Sequence, residues 1–275
     1  MVFRPLVMLL GLSLAAGCER EQRQPATEPL VQQEAKSVAP LPVAEPPLSR
    51  SELLLAFAQA ASDYALGRSD ERRQRQLDGK RFQLSLRFGC AGDELASRSV
   101  RFDAKTNVLR LQVSPELSSE TPSVQALSLG GIEAVEGFWI RRPWLLEAEC
   151  PRAQAEQQPP PASTPTGRSD PTTRPVEAPR FAVAQFYSAT DTRTTRRDNR
   201  AYEVTKKLDN GTGMSSRGYD LVVSGRLKKL QDGRVVACSG HSPTKPPVCI
   251  ASAQFDHVTI LDPESGAALA EWSGS

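Results

Sequence analysis

At 275 residues, with a formal net charge of +2 and 39% hydrophobic residues, the chain is long enough for one large or two modest domains. It carries no field strong enough to favour nucleic acid or acidic lipid through charge alone. Only two histidines are present, which leaves few arrangements for zinc binding or histidine-based catalysis.

The chain opens with one positive charge, Arg4, and an apolar run from Leu6 to Ala16 broken only by Gly11 and Ser13. A membrane-crossing helix needs about 20 apolar residues, so this shorter run after a charged start reads as a secretory signal. Ala15, Ala16 and Gly17 then lead into Cys18, and the stretch LSLAAGCERE resembles the lipobox of bacterial lipoproteins. Most such signals place Leu three positions before the cysteine; here Ala15 stands there and Leu14 one earlier. The resemblance, carried by residues 1 to 19, implies that residues 1–17 are removed and that Cys18 takes a lipid and becomes the new terminus. It also implies an outer-membrane protein facing the periplasm, because Glu19 replaces the Asp that retains such proteins at the inner membrane in enteric bacteria. The other reading is an ordinary cut near Ala16 that leaves Cys18 as a thiol.

Cysteine parity bears on the same choice. Of five cysteines, assigning Cys18 to lipid leaves Cys90, Cys150, Cys238 and Cys249, enough for two disulfides in an oxidising space. More than one acyl chain is needed for lasting membrane attachment. Residues 18–48, rich in Pro, Gln, Glu and Ala and without aromatics, cannot bury enough surface to offset ordering entropy and read as a disordered tether spanning on the order of 30 Å.

Ser49 and Glu52 form a capping-box pair, and Leu48 is placed to staple onto Leu53. Leu53, Phe57, Ala60 and Tyr64 then recur at helical spacing up to a stop at Gly67. In KRFQLSLRF, Phe82, Leu84, Leu86 and Phe88 alternate with polar residues, the period of a strand with one face to the core. SVRFDAKTNVLRLQV reads as a hairpin turning at Asp103 to Asn107, and GFWIRRPWLL as a further strand. Trp139 and Trp144 beside Arg141 and Arg142 form either a ligand surface or edge packing covered by arginines, and Glu147 and Glu149 read as the acids of a salt-bridged surface. Cys90 follows the first strand and Cys150 the last, so a bond between them would tie the ends of the sheet and contribute about 4 kcal/mol by loop-closure entropy.

Residues 151–180 form a Pro-, Thr- and Ser-rich linker. It separates 49–150, an α+β domain, from 181–275, a β-rich domain; the alternative is one β-domain over 49–275 with 151–180 inserted between strands. In the second part RFAVAQFY, RAYEVTKKL, GYDLVVSGRLKKL, GRVVACS, PVCIASAQFDHVTIL and AALAEW read as strands separated by turn signals at Asn210-Gly211, Asp232-Gly233 and DPESG. The fold class is therefore mainly β, antiparallel and sandwich- or barrel-like, with one N-terminal helix. Cys238 and Cys249 flank a Pro-rich loop, and a bond across it would contribute about 3 kcal/mol and hold the loop in one shape for inhibition or assembly.

Few residues of the chain fall in a recognisable catalytic or metal-binding pattern. Neither C-x-x-C nor H-x-x-x-H spacing accompanies His241 or His257, so no metal or cofactor is implied. P-loop, nucleophile-elbow and dinucleotide patterns are missing, and Ser239, Asp256 and His257 read as polar residues at strand ends. In TRTTRRDNR, Arg193, Arg196, Arg197 and Arg200 recur at three- and four-residue steps and would share one face of a helix, an anion-binding surface for guanidinium forks. The expectation is a non-catalytic envelope lipoprotein that binds or scaffolds through an envelope protein or an anionic glycan or lipid. An envelope hydrolase is the second reading.

Overall fold

The signals around Ser49 produce the helix start they describe. In the computed structural model, which describes residues 45–90, 96–150, 180–191, 196–209, 213–240 and 245–274, Ser49 caps α1 (Arg50–Ala65) with the reciprocal capping box complete. The Ser49 N–H donates to Glu52 Oε2 at 2.7 Å, and the helix stops before Gly67 at φ +63°. Leu53, Leu54, Ala56 and Phe57 are buried, whereas Tyr64 is exposed, so the apolar face turns one position away from the expected stripe. Leu48 forms an isolated parallel bridge with Phe82 and packs against the core. A short helix absent from the sequence reading, α2 (Glu71–Leu77), follows. Its Gln74 Oε1 accepts from the backbone N–H groups of Val235 and Val236 at 2.6 and 3.0 Å.

The strands are β1 (Arg81–Phe88), β2 (Arg98–Asp103), β3 (Val108–Val113), β4 (Ile132–Ile140), β5 (Arg180–Ser188), β6 (Tyr202–Lys207), β7 (Tyr219–Leu227), β8 (Val236–Ser239), β9 (Val248–Leu261) and β10 (Ala268–Ser273), with α3 (Pro122–Gln125) before β4. All six strands expected after residue 180 are present. In β1, Phe82, Leu84, Leu86 and Phe88 are buried, as the alternation requires. The β2–β3 hairpin turns through Asn107 at φ +52°. The strand expected in GFWIRRPWLL ends at Ile140 instead. Arg142 sits at φ +47°, Pro143 has no N–H to give a ladder, and Leu145 N bonds Arg142 O in a turn. Glu147 and Glu149 therefore lie outside any strand.

One seven-stranded sheet runs β1-β7-β9-β5-β4, with β8 and β10 also on β9, and a three-stranded sheet runs β2-β3-β6. The pairs are antiparallel except β5–β9, which is parallel. Strands from 49–150 and from 181–275 thus hydrogen-bond within both sheets, and Glu45–Ser275 forms one compact unit. A division at 151–180 into two separately folded parts does not describe these strands. The reason is visible in β5: Phe181 and Val183 face the larger core with Phe57 and Phe138, while Ala182 and Ala184 face a second core with Val135 and Ile250. A strand buried on both faces reads as a continuous apolar run, and β5 needs partners from both halves to cover it. Gly137 is required here, since a Cβ would come within 2.6 Å of Val183 O.

Both expected disulfides are formed. Cys90–Cys150 has its Cα atoms 5.4 Å apart and closes a sequence separation of 60. Cys238–Cys249 joins directly opposed residues of β8 and β9, with Cα atoms 4.0 Å apart, so it clamps a strand pair. Among the described residues no helix is long and apolar enough to cross a membrane.

Phe57 stacks on Phe181 with centroids 5.0 Å apart and so ties α1 to β5. Phe57→Ala should cost about 3–5 kcal/mol in urea denaturation, whereas Leu55→Ala, at 59% exposure, should stay within about 0.5 kcal/mol.

Candidate functional site

Where the expected arginine face would lie, the chain makes a tight turn. Asp198 and Asn199 take consecutive left-handed conformations, φ +52° and +60°, which Asp and Asn tolerate better than most residues. The turn they make brings successive backbone N–H groups to face one acceptor. The acceptor is internal: Glu136, in the middle of β4 and only 4% exposed, accepts from Arg197 N at 2.8 Å and from Asn199 N at 3.5 Å. No helix spans the described part of this segment, so Arg196, Arg197 and Arg200 do not share a helical face. Arg193 lies outside the described residues, as do Cys18 and His241.

Each of the three described arginines has its own setting. Arg196, 17% exposed in its side chain, pairs with Glu133 at 3.3 Å and Asp198 at 3.4 Å, and its guanidinium lies 5.8 Å from the Tyr187 ring centroid. The Arg197 guanidinium lies 4.3 Å over the Tyr202 ring, and its Nη2 donates to Ala201 O at 2.9 Å. Arg200 is exposed, and its Nε donates to Arg197 O at 2.9 Å. The three line a cleft of about 140 Å³ together with Glu136, Tyr187, Tyr202 and Trp272. Trp272 of β10 meets Tyr202 of β6 edge-on, centroids 5.1 Å apart. At the back, Gln185 Oε1 accepts from Phe255 N at 2.9 Å, beside the bulge at Ser224/Gly225 where the β7–β9 register shifts.

Burial dominates the electrostatics. It raises the Glu136 pKa above the ordinary 4.5, outweighing the backbone donors of Asn199, Arg197 and Asp198. Burial, then the nearby Glu136 charge, pushes the Tyr202 phenol up to about 12 and moves the Tyr187 phenol further up. Both tyrosines are therefore neutral near pH 7. The cleft combines cations, neutral phenols and aromatic faces, groups that hold a polar ring or an acidic substituent.

The other sequence candidates do not assemble. Ser239 is buried opposite Val248, whereas His257 lies further along the same strand, on the order of 30 Å away at strand rise, with Nδ1 3.0 Å from Glu271. Asp256 faces Arg226 at 4.0 Å. Among the described residues there is no group of three or more His, Cys, Asp or Glu side chains able to hold a metal. Trp139 lies under the Arg180 guanidinium at 4.3 Å, while Trp144 is 66% exposed. The arginine spacing pointed to this segment but not to Glu136, Tyr187, Tyr202 or Trp272, which line the same cleft. The one available signal was a lone acid inside the apolar β4 run AVEGFW.

A carboxyl whose folded pKa is raised adds stability that is complete below its unfolded value and is lost as pH rises through the folded value. Urea midpoints of the wild type should therefore fall relative to Glu136→Gln as pH increases from about 4.5; parallel profiles would show that burial does not dominate Glu136. Comparison of the chain with protein-family models, with curated proteins and with solved structures gives no match.

Proposed function

We propose that this is a cell-envelope lipoprotein, anchored through lipid on Cys18 to the outer membrane and facing the periplasm, whose β-rich body binds an anionic glycan without transforming it. The observation that carries the binding reading is the cleft: Arg197 stacked on Tyr202, with Trp272 and Tyr187 beside it and the exposed Arg200 at its edge. Arginine and aromatic faces together recognise a ring bearing an acidic group through stacking and charge-assisted hydrogen bonds. The acid in the cleft is held by backbone N–H groups, which suits a positioning role. The tether reading rests on the resemblance at LSLAAGCERE and on cysteine parity, to which the two disulfides of the remaining four cysteines add support. A Pro- and Gln-rich stretch between Cys18 and Ser49 would let the cleft reach ligands away from the bilayer.

The test uses Cys18→Ser, which removes the attachment point, and lipopolysaccharide as the anionic glycolipid probe, read by tryptophan fluorescence. Cys18→Ser should leave the membrane fraction and still bind, and adding Arg197→Ala with Arg200→Ala should weaken binding about tenfold or more, about 1.4 kcal/mol, with reduced salt dependence. Fractionation unchanged by Cys18→Ser would remove the anchor; binding unchanged by the arginine substitutions would remove the cleft.

A further inference from the structure

A second concentration of arginines lies where α1 begins. Arg50, Arg87, Arg98, Arg141 and Arg142 line a pocket of about 10 Å³, the space of one water molecule or one ligand oxygen. It adjoins a groove of about 500 Å³ with which it shares Arg50, Arg87, Glu147 and Ala148. Two of the cations have acids of their own: Arg87 is bidentate to Asp220 at 2.7 and 3.0 Å, and Arg98 Nη2 meets Glu116 Oε2 at 2.7 Å. Arg50 differs. It is 8% exposed, and its described hydrogen bonds run to the carbonyl oxygens of Leu145, Ser85, Arg141 and Arg142, which satisfy donors without cancelling charge. Burial, then the charge of Arg142, lowers its pKa.

Arg98 adds an independent observation. Its side chain is 1% exposed, yet Nε and Nη1 have no hydrogen-bond partner among the described residues. Buried guanidinium N–H groups without an acceptor are costly, and several guanidinium groups around one small space suit an oxyanion better than a neutral acceptor. Glu147 and Glu149 also line the pocket, but both are exposed, so inside lie the charge of Arg50, bonded only to carbonyls, and the unbonded Nε and Nη1 of Arg98.

The geometry points to a phosphate site: the pocket takes one oxygen of a phosphate group end-on, and the remainder of the ligand lies in the adjoining groove. The site is separate from the Arg197–Tyr202 cleft and stands whether or not that cleft binds glycan.

Isothermal titration of the full chain with inorganic phosphate, against chloride at equal ionic strength, tests it. Arg142→Asn is the informative variant, because Asn tolerates the φ of +47° at that position and the side chain is only half-buried. Phosphate should bind where chloride does not, Arg142→Asn should weaken it about tenfold at unchanged melting temperature, and Arg197→Ala should leave it alone. Phosphatidic acid vesicles distinguish the source: vesicle binding displaced by inorganic phosphate assigns a lipid headgroup, whereas phosphate binding without vesicle binding assigns the free ion. No phosphate response beyond that of chloride, which would leave the Arg98 donors to water, or a response indifferent to Arg142→Asn, overturns the proposal.

Discussion

The two-sided hydrogen bonding of β9 is the constraint on which the rest of the molecule depends. This strand of 14 residues pairs along its first half with β8 and β5 and along its second half with β7 and β10. Its side chains supply both cores, Cys249, Ala251, Ala253 and Phe255 to the larger and Ile250 to the smaller. Since β7 carries β1 and β5 carries β4, the strands of 49–150 are assembled on a scaffold that only 181–275 provides. The cleft inherits this arrangement. Glu136 comes from β4, Gln185 and Tyr187 from β5, Tyr202 from β6 and Trp272 from β10, so no single stretch of chain contains the site.

Around that scaffold, buried charges fix the connecting segments. Glu116 accepts from Arg98, from Ser97 Oγ at 2.8 Å and from Trp139 N at 3.0 Å, tying β2 to β4 across the two sheets. Glu136 pins the 197–199 turn against the same strand, and Arg50 gathers carbonyls of β1 and of the 141–145 turn. Such buried ions contribute little net stability compared with an apolar replacement, because desolvation offsets most of the Coulombic gain. What they do is specify geometry: an acid or a guanidinium in the interior penalises any packing that leaves it unpaired. Both proposed binding regions sit against these ionic braces, which hold the arginines in position before a ligand arrives.

Much of the fold is legible in the sequence where a local rule and the tertiary demand coincide. The Ser49–Glu52 capping box, the strict alternation in β1 and the turn at Asn107 are decided within a few residues. Cysteine order matched the disulfide partners: Cys238 and Cys249 oppose each other on the sequence-adjacent strands β8 and β9, and Cys90 and Cys150 follow β1 and β4, the two ends of the larger sheet. Two kinds of feature were not legible. The first depends on distant residues: β5 and β8 are apolar on both faces because each separates two cores, and the parallel pairing of β5 with β9 leaves no local trace. The second involves polar residues whose role is set by partners. Arg196, Arg197 and Arg200 have helical spacing, but the buried carboxylate of Glu136 captures the backbone between them, and Asp198 with Asn199 supply the left-handed residues that let it do so. Arg50 opens a helix as an ordinary charged residue would, and only the β1 edge and the 141–145 turn make it interior.

That one sheet joins both stretches of the chain, and with them the cleft, is the claim on which the functional reading stands. Each disulfide lies within one stretch, Cys90–Cys150 in the first and Cys238–Cys249 in the second, so cutting the chain between residues 151 and 179 leaves no covalent link between the pieces. The decisive measurement is size-exclusion chromatography and thermal melting after cleavage at a protease site introduced there. The account predicts that the two pieces elute together and unfold in a single transition; two pieces that separate, each keeping its own fold and its own melt, would contradict it.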